Sequence, residues 1–342
     1  MKKIVTFGEI MLRLKSPGHE RLFQSASLEA HFGGGEANVA TSLALFGLRP
    51  VFVSALSKDA IGEGALRTLR GHGVDVSRVR LTAGRTGIYF LETGADQRPS
   101  MVVYDRAGSA ASQMQPGDFP WDEIFEGASW FHFTGITPAL SRSAADACLE
   151  AAKAARAAGA KVSIDLNFRK KLWNYGVKAP EVMRGLVALA DVLIANEEDI
   201  QLGLGLKAEV EAGGSGMATS AYQALAARTK AEFPNLSVVG ITLRESLSAD
   251  RNGWSAVLDG QQGFRSSRKY ALNDIVDRVG GGDSFAAGLI FGLLEYDDEA
   301  KALEFAVAAS ALKHSIPGDL NLVSREEVER LAAGDGSGRV QR

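Results

Sequence analysis

Short apolar runs rich in β-branched residues alternate with Ala- and Leu-rich periodic stretches along most of this chain, and that alternation leaves few folds open to it. The runs at 4–7, 51–55, 130–133, 162–166, 192–195 and 238–243 are apolar at successive positions, so strands made of them must be covered on both faces. The stretches 37–46, 62–71, 143–158, 181–190, 221–233, 284–294 and 300–314 carry the helical period. Strand and helix in turn predict an α/β fold of three α/β/α layers, with a mostly parallel central sheet and functional groups at the carboxyl ends of its strands. Two segments break the rhythm: residues 12–32 and 87–106 hold strand-like runs and turn residues but no convincing helix. They predict a small β-sheet lid inserted in one α/β core spanning 1–342, because so few strands make no domain of their own. Two long decorated loops are the alternative.

Composition narrows the partners. The chain has 342 residues, 46% hydrophobic and 23% charged, enough for a large core. A net charge of −3 with both signs interspersed argues against nucleic acid or an anionic membrane as partner. The one cysteine, Cys148, has no disulfide or metal-binding companion and reads as a buried thiol in a reducing, cytoplasmic setting. Glu9 and Arg13 interrupt the first apolar run, which is no signal peptide, and the longest run, 285–294, is too short to span a bilayer. Residues 212–216, Ala-Gly-Gly-Ser-Gly, read as a flexible insertion, and 334–342 as a mobile tail or interface arm.

Two glycine clusters carry the chemistry. In Asp277-Arg278-Val279-Gly280-Gly281-Gly282-Asp283, three glycines lead through an acid into a helical run. Bare backbone at a helix start lets phosphate oxygens approach N–H groups. A carboxylate there would repel that anion, unless it takes a proton from a hydroxyl attacking the phosphate. A plain helix start with a favourable dipole is the competing reading, but three glycines are entropically costly for that alone. In Phe32-Gly33-Gly34-Gly35-Glu36-Ala37-Asn38, glycines would let a small polar ligand lie against backbone, with Asn38 offering donor and acceptor; a tight turn before a helix explains them equally well. No P-loop, dinucleotide fingerprint, nucleophile elbow or His-Glu-x-x-His motif is present, and His132, between Phe131 and Phe133, reads as a core residue.

Together the two clusters resemble the ribokinase-like carbohydrate kinase family, with its early Gly-Gly-x-x-x-Asn-x-Ala and late Asp-x-x-Gly-x-Gly-Asp-x-Phe, over almost the whole chain. The resemblance implies ATP as phosphoryl donor, Asp283 as catalytic base, and an anion hole of backbone N–H groups from Gly280, Gly281, Gly282 and Asp283. It implies Mg²⁺ near Asn196, Glu198 and Asp199, although the family's Asn-x-x-Glu ends here in the shorter Asp199. Asn196 also reads as a helix N-cap. Thr242 matches the family's nucleotide-side threonine. Arg244 replaces a glycine there, as a phosphate contact or a surface charge, and Arg278 stands where threonine or proline is commoner, in a salt bridge or at the nucleotide. Parts of the family use a monovalent cation, and many pair through their lids, which implies a homo-oligomer.

The acceptor is signalled elsewhere. Gly34, Tyr89, Tyr104, Arg106 and Arg169 are similar to the substrate set of the 2-keto-3-deoxygluconate kinase branch, as are Gly8-Glu9 and the segment 133–138, and Gly33, Asn38 and Asn167 join them as candidate substrate residues. The branch implies a sugar acid whose carboxylate meets Arg106 and Arg169, since two arginines aimed at one site call for an anion. A neutral-sugar kinase of the fructokinase or ribokinase type, or a sugar sensor without turnover, are the alternatives.

Overall fold

The computed structural model of the protein describes residues 2–207 and 219–336. The insertion at 212–216 and the end of the tail, from 337 on, lie outside the described residues.

Adjacent residues of a strand face opposite sides of a sheet, and here both sides are apolar. Ile4 belongs to a core with Val39, Phe285 and Val307, whereas Val5 and Phe7 belong to another with Ala147, Ala151 and Met183. Trp130 joins the first core, and Phe131 and Phe133 the second. Helices therefore cover both faces, as the periodicity predicts.

The main sheet runs in the order Gly263–Ser266, Asn252–Gly260, Val238–Ser246, Val192–Ala195, Lys161–Asp165, Ala128–Thr134, Lys3–Phe7, Arg49–Ser57, Val79–Thr82. From Val238–Ser246 to Val79–Thr82 every pairing is parallel. The strands Asn252–Gly260, Gly263–Ser266 and Tyr270–Leu272 add an antiparallel flank that the apolar runs did not announce. A second sheet holds Glu29–Gly33, Met11–Lys15, Ile88–Glu92 and Met101–Asp105 in that order. It occupies the two segments that break the rhythm, so they are a sheet and not decorated loops. Among the described residues no helix is long and apolar enough to cross a membrane.

The helix Gly281–Glu295 is buried along almost its whole length and packs against Glu299–Lys313. A helix apolar all round needs neighbours on every side. Small residues allow it: a Cβ on Gly288 would stand 2.7 Å from Ala306 Cα, and one on Gly292 2.6 Å from Ala302 Cα. This close crossing fixes where the first turn of Gly281–Glu295, with Asp283, meets the strand ends. Gly292→Ala should therefore destabilise the fold by about 1–3 kcal/mol through overpacking. Gly71→Ala, at a helical site with nothing within 4 Å of the added Cβ, should cost nothing. Denaturant midpoints at unchanged slope read both; equal effects would sever the link between the crossing and stability.

Candidate active site

A cavity of about 890 Å³ opens where the parallel strands end under the second sheet. Every residue singled out from the sequence for substrate, nucleotide or metal lines it, from Gly33 and Gly34 on one side to Gly282 and Asp283 on the other. Asp165 and Asn196 sit at or just beyond the ends of adjacent strands, where open α/β sheets gather ligands, and Thr242 lies within Val238–Ser246, one residue past that strand's last parallel pairing, Ala195 with Ile241.

The three late glycines serve three different needs. Gly280 has φ +84°, the left-handed region. A Cβ on Gly281 would stand 2.8 Å from His314 Cε1. A Cβ added at Gly282 would meet nothing within 4 Å. The N–H of Gly281 donates to the Arg278 carbonyl at 3.3 Å and that of Ser284 to the Gly280 carbonyl at 2.9 Å. The N–H groups of Gly282 and Asp283 thus remain for an anion at the helix start. In the early cluster the glycines fit protein against protein: a Cβ on Gly33 would collide with the Asp319 carboxylate and one on Gly34 with the Glu9 backbone.

Asn38 uses both ends of its amide. Its nitrogen donates to Asp283 Oδ2 at 2.7 Å and its oxygen accepts the Gly34 N–H at 3.2 Å. The two glycine clusters meet through this one side chain. Burial pushes the Asp283 carboxyl up to about 6, against the Asn38 hydrogen bond that favours its charge.

Other acids crowd the same end. Asp165 is raised well above its ordinary range, first by burial and then by Asp199 and Asp283. Its Oδ1 accepts the N–H of Asn167, which holds a left-handed φ of 36°. Asp199 is raised to about 6 by burial, and Arg169 works against that shift. Asn196 and Asp199 form a reciprocal capping box at the start of Glu197–Leu204, so the N-cap reading of Asn196 holds. Asp199 also accepts the Phe168 N–H at 3.0 Å. Glu198 is exposed to the cavity. Among the described residues no ready-made cluster of acidic or histidine side chains could hold a metal.

The lid residues are tied more firmly than their sequence suggests. Tyr89 donates its hydroxyl to Asp319 at 2.6 Å. Arg106, expected to face a ligand carboxylate, is paired with Glu9, whose other oxygen accepts from Ser109 at 2.5 Å. Glu9 engages one terminal nitrogen of Arg106, and Nε has no partner. Tyr104 is half exposed, 5.9 Å ring to ring from Tyr89, with Arg106 over its face. Arg169 is exposed and, among the described residues, donates to the Phe168 carbonyl alone, at 3.1 Å.

On the other flank, Arg278 forms no salt bridge among the described residues; it donates to the carbonyls of Ser248 and Ala249. Burial and the neighbouring Arg244 draw its pKa down. Thr242 donates to the Ala195 carbonyl at 3.4 Å. His132 is a core residue, bonded to Ser163 and held neutral by burial at about 3.

Several residues of the site escaped sequence reasoning. Glu36 is fully buried, accepts from Thr134 and Thr137, and is raised to about 7 by burial. Arg13 pairs with both Asp277 and Asp319 with no exposed side-chain surface. The interruption of an apolar strand by Arg13 is the one signal that could have marked a buried charge. Asp319 and Lys313 carried none.

The model of the pfkB family carbohydrate kinases matches residues 1–323. The chain is similar to the 2-dehydro-3-deoxygalactonokinase of Haloferax volcanii, 33% identical over 336 residues that cover 98% of each chain. It is similar to the 2-dehydro-3-deoxygluconokinase of Bacillus subtilis, 31% identical over 327 residues, 95% of this chain and 93% of that one. In structure it resembles the crystal structure of 2-dehydro-3-deoxygluconokinase from Thermotoga maritima, with a TM-score of 0.91 and 47% identity over 97% of this chain and 98% of that one.

The buried Asp283 carboxyl has a consequence for stability. Its pKa rises from 3.8 to about 6 on folding, so its favourable contribution is full below 3.8 and lost as pH climbs through about 6. Asp283→Asn keeps the volume and an acceptor for Asn38. The variant should melt above the parent at pH 8 and converge with it in acid. Thermal unfolding across pH reads this, and a variant less stable at pH 8 would contradict it.

Proposed function

The chain belongs to the pfkB family of carbohydrate kinases, and we propose that it transfers the γ-phosphoryl group of ATP to the terminal hydroxyl of a sugar acid, with 2-keto-3-deoxygluconate giving its 6-phosphate as the leading acceptor. The observation that carries this reading is Asp283: a buried carboxylate of pKa about 6, oriented by Asn38, beside the open backbone of Gly282 at a helix start. A base there meets a hydroxyl on one side and an anion on the other. As the sugar oxygen attacks the γ-phosphorus, its proton passes to Asp283 and the bond from phosphorus to the ADP oxygen breaks. The N–H groups of Gly282 and Asp283 face the charge that develops on the transferring group.

Arg244 and Arg278 flank the same turn with no ion-pair partner among the described residues, which suits the nucleotide phosphates. Mg²⁺ would supply positive charge to neutralise the nucleotide phosphates. The donors here fit it: Glu198, exposed in the cavity, with Asn196 and Asp199 beside it, would hold the ion once phosphate oxygens complete its shell.

The names of the relatives support a six-carbon keto acid, and so does Arg169, an exposed guanidinium that forms no salt bridge among the described residues at the acidic end of the cavity. Arg106 has donors that Glu9 leaves unengaged, and Tyr104 lines the same wall. A cytoplasmic homo-oligomer fits the edge strand Met101–Asp105, exposed at every position; pairing with a second copy would cover its apolar side chains and its open backbone.

An ADP-release assay over 2-keto-3-deoxygluconate, its C4 epimer, fructose and ribose, with and without Mg²⁺, tests the assignment. Turnover should favour the sugar acids and require Mg²⁺; preference for a neutral ketose would overturn the substrate class. Asp283→Asn should lower kcat about 10²–10⁴-fold. In the parent, kcat/KM should fall as pH drops through about 6 and Asp283 becomes protonated. Arg169→Ala should raise KM about tenfold or more for the acid, the loss expected of a charge-assisted hydrogen bond, and leave any activity on fructose alone. Val103→Lys should give a smaller species by sedimentation.

A further inference from the structure

Beneath the glycine turn lies a charged group that the transfer scheme leaves without a role. Lys313 ends the helix Glu299–Lys313 and is wholly buried. Its Nζ donates to the backbone carbonyl of Ile316 at 2.9 Å and to that of Asp277 at 3.4 Å. Burial draws its pKa down to about 8, and the carboxylates of Asp277 and Asp319 work against that shift and keep it an ammonium below that pH. Asp277 opens the glycine turn, and Lys313 Cε lies 3.3 Å from where a Cβ on Gly280 would stand. Backbone carbonyls flanked by carboxylates are hard oxygen ligands, the chemistry of a site for a metal cation, yet here the chain's own ammonium stands among them.

Charge balance says why a lysine is buried at this point. Arg13 and Lys313 bring two positive charges, and Asp277 and Asp319 two negative ones. An uncompensated buried charge is costly. Without the ammonium the cluster would be net negative directly under a turn that has to receive phosphate oxygens.

We propose that the Lys313 ammonium is the resident monovalent cation of this site: it fills the carbonyl nest that a potassium-sized ion would take, clamps the turn 277–282 to the loop 313–319, and supplies the positive charge under the phosphoryl cradle. The free monovalent cation that the family resemblance admits has no place beside it, so the protein turns over without one. The kinetic part of this inference rests on the kinase reading; the binding part does not.

The test compares KCl with choline chloride at equal ionic strength, choline being too large for the nest. The parent should show the same melting temperature and the same kcat in both salts; a potassium requirement in the parent would overturn the inference. Lys313→Ala empties the nest. Its melting temperature should rise saturably with KCl and not with choline chloride, because an ion bound only to the folded state stabilises it. In that variant kcat should recover about tenfold or more with KCl while KM for the sugar stays put, the signature of charge restored at the transition state and not of a repaired fold. Identical responses to the two salts would overturn the inference. If the alanine variant does not fold, Lys313→Met keeps the packing and blocks the nest: it should stay folded, lose kcat and ignore KCl, and full activity in it would be equally fatal. Absence of turnover with every sugar would sink the kinase reading, while the melting curves would still report on the cation.

Discussion

The ion pairs of Arg13 are the constraint on which the site depends. Arg13 rises from the lid strand Met11–Lys15 and reaches Asp277 at the start of the glycine turn and Asp319 in the loop beyond the last long helix. Tyr89, from the next lid strand, ends on the same Asp319. Lid base, glycine turn and closing loop are thereby one electrostatic unit. Removing one partner of such a buried pair typically costs about 3–5 kcal/mol, because the charge left behind has no water to turn to. The far edge of the lid has no such tie: Met101–Asp105 is exposed throughout. The lid is anchored where it meets the turn and open to the outside where its last strand runs.

That anchoring explains how the cavity tolerates its acids. Asp165, Asp199, Asp283 and Glu36 are all buried and all pushed up by burial. Left to relax, carboxylates so close would separate or take up water. Here they are held by strand ends, by a capping box and by Asn38, none of which can move without disturbing the sheet. Their cost in stability is the counterpart of holding carboxyls tuned upward from their ordinary values in one cavity, as the proposed role of Asp283 requires. The positive groups fall into two sets. Lys313 and Arg13 neutralise from below, while Arg169, Arg244 and Arg278 line the open cavity, where an anionic ligand can reach them.

What the sequence made legible was whatever repeats or clusters locally. The parallel sheet followed from apolar runs, the second sheet from a broken rhythm, and the glycine turn at the cavity from glycines next to an acid. All the candidate site residues do line one cavity. What stayed hidden was pairing over distance. Arg13 lies 306 positions from Asp319 and 264 from Asp277, and no spacing rule links them. The engagement of Arg106 by Glu9, 97 positions away, was invisible for the same reason, so an arginine read as free for a ligand turns out to be already paired. The antiparallel flank was missed because Asn252–Gly260 begins and ends with residues that ordinarily mark turns, and only the partner strands make it a strand.

The glycine triplet is the sharper case. As a sequence it invites one explanation for three residues, the near approach of a ligand. In the fold Gly280 is fixed by a left-handed φ and Gly281 by the His314 ring, and both would be needed if no ligand ever bound. Gly282 alone faces open space. The motif therefore divides into a structural part, Gly280 and Gly281, which bends the chain sharply enough to begin a buried helix, and a chemical part, Gly282 and Asp283, which presents bare amides and a carboxylate at that helix start. The first part makes the second possible: without the bend, the amides of Gly282 and Asp283 would be engaged within the helix and could not receive an anion.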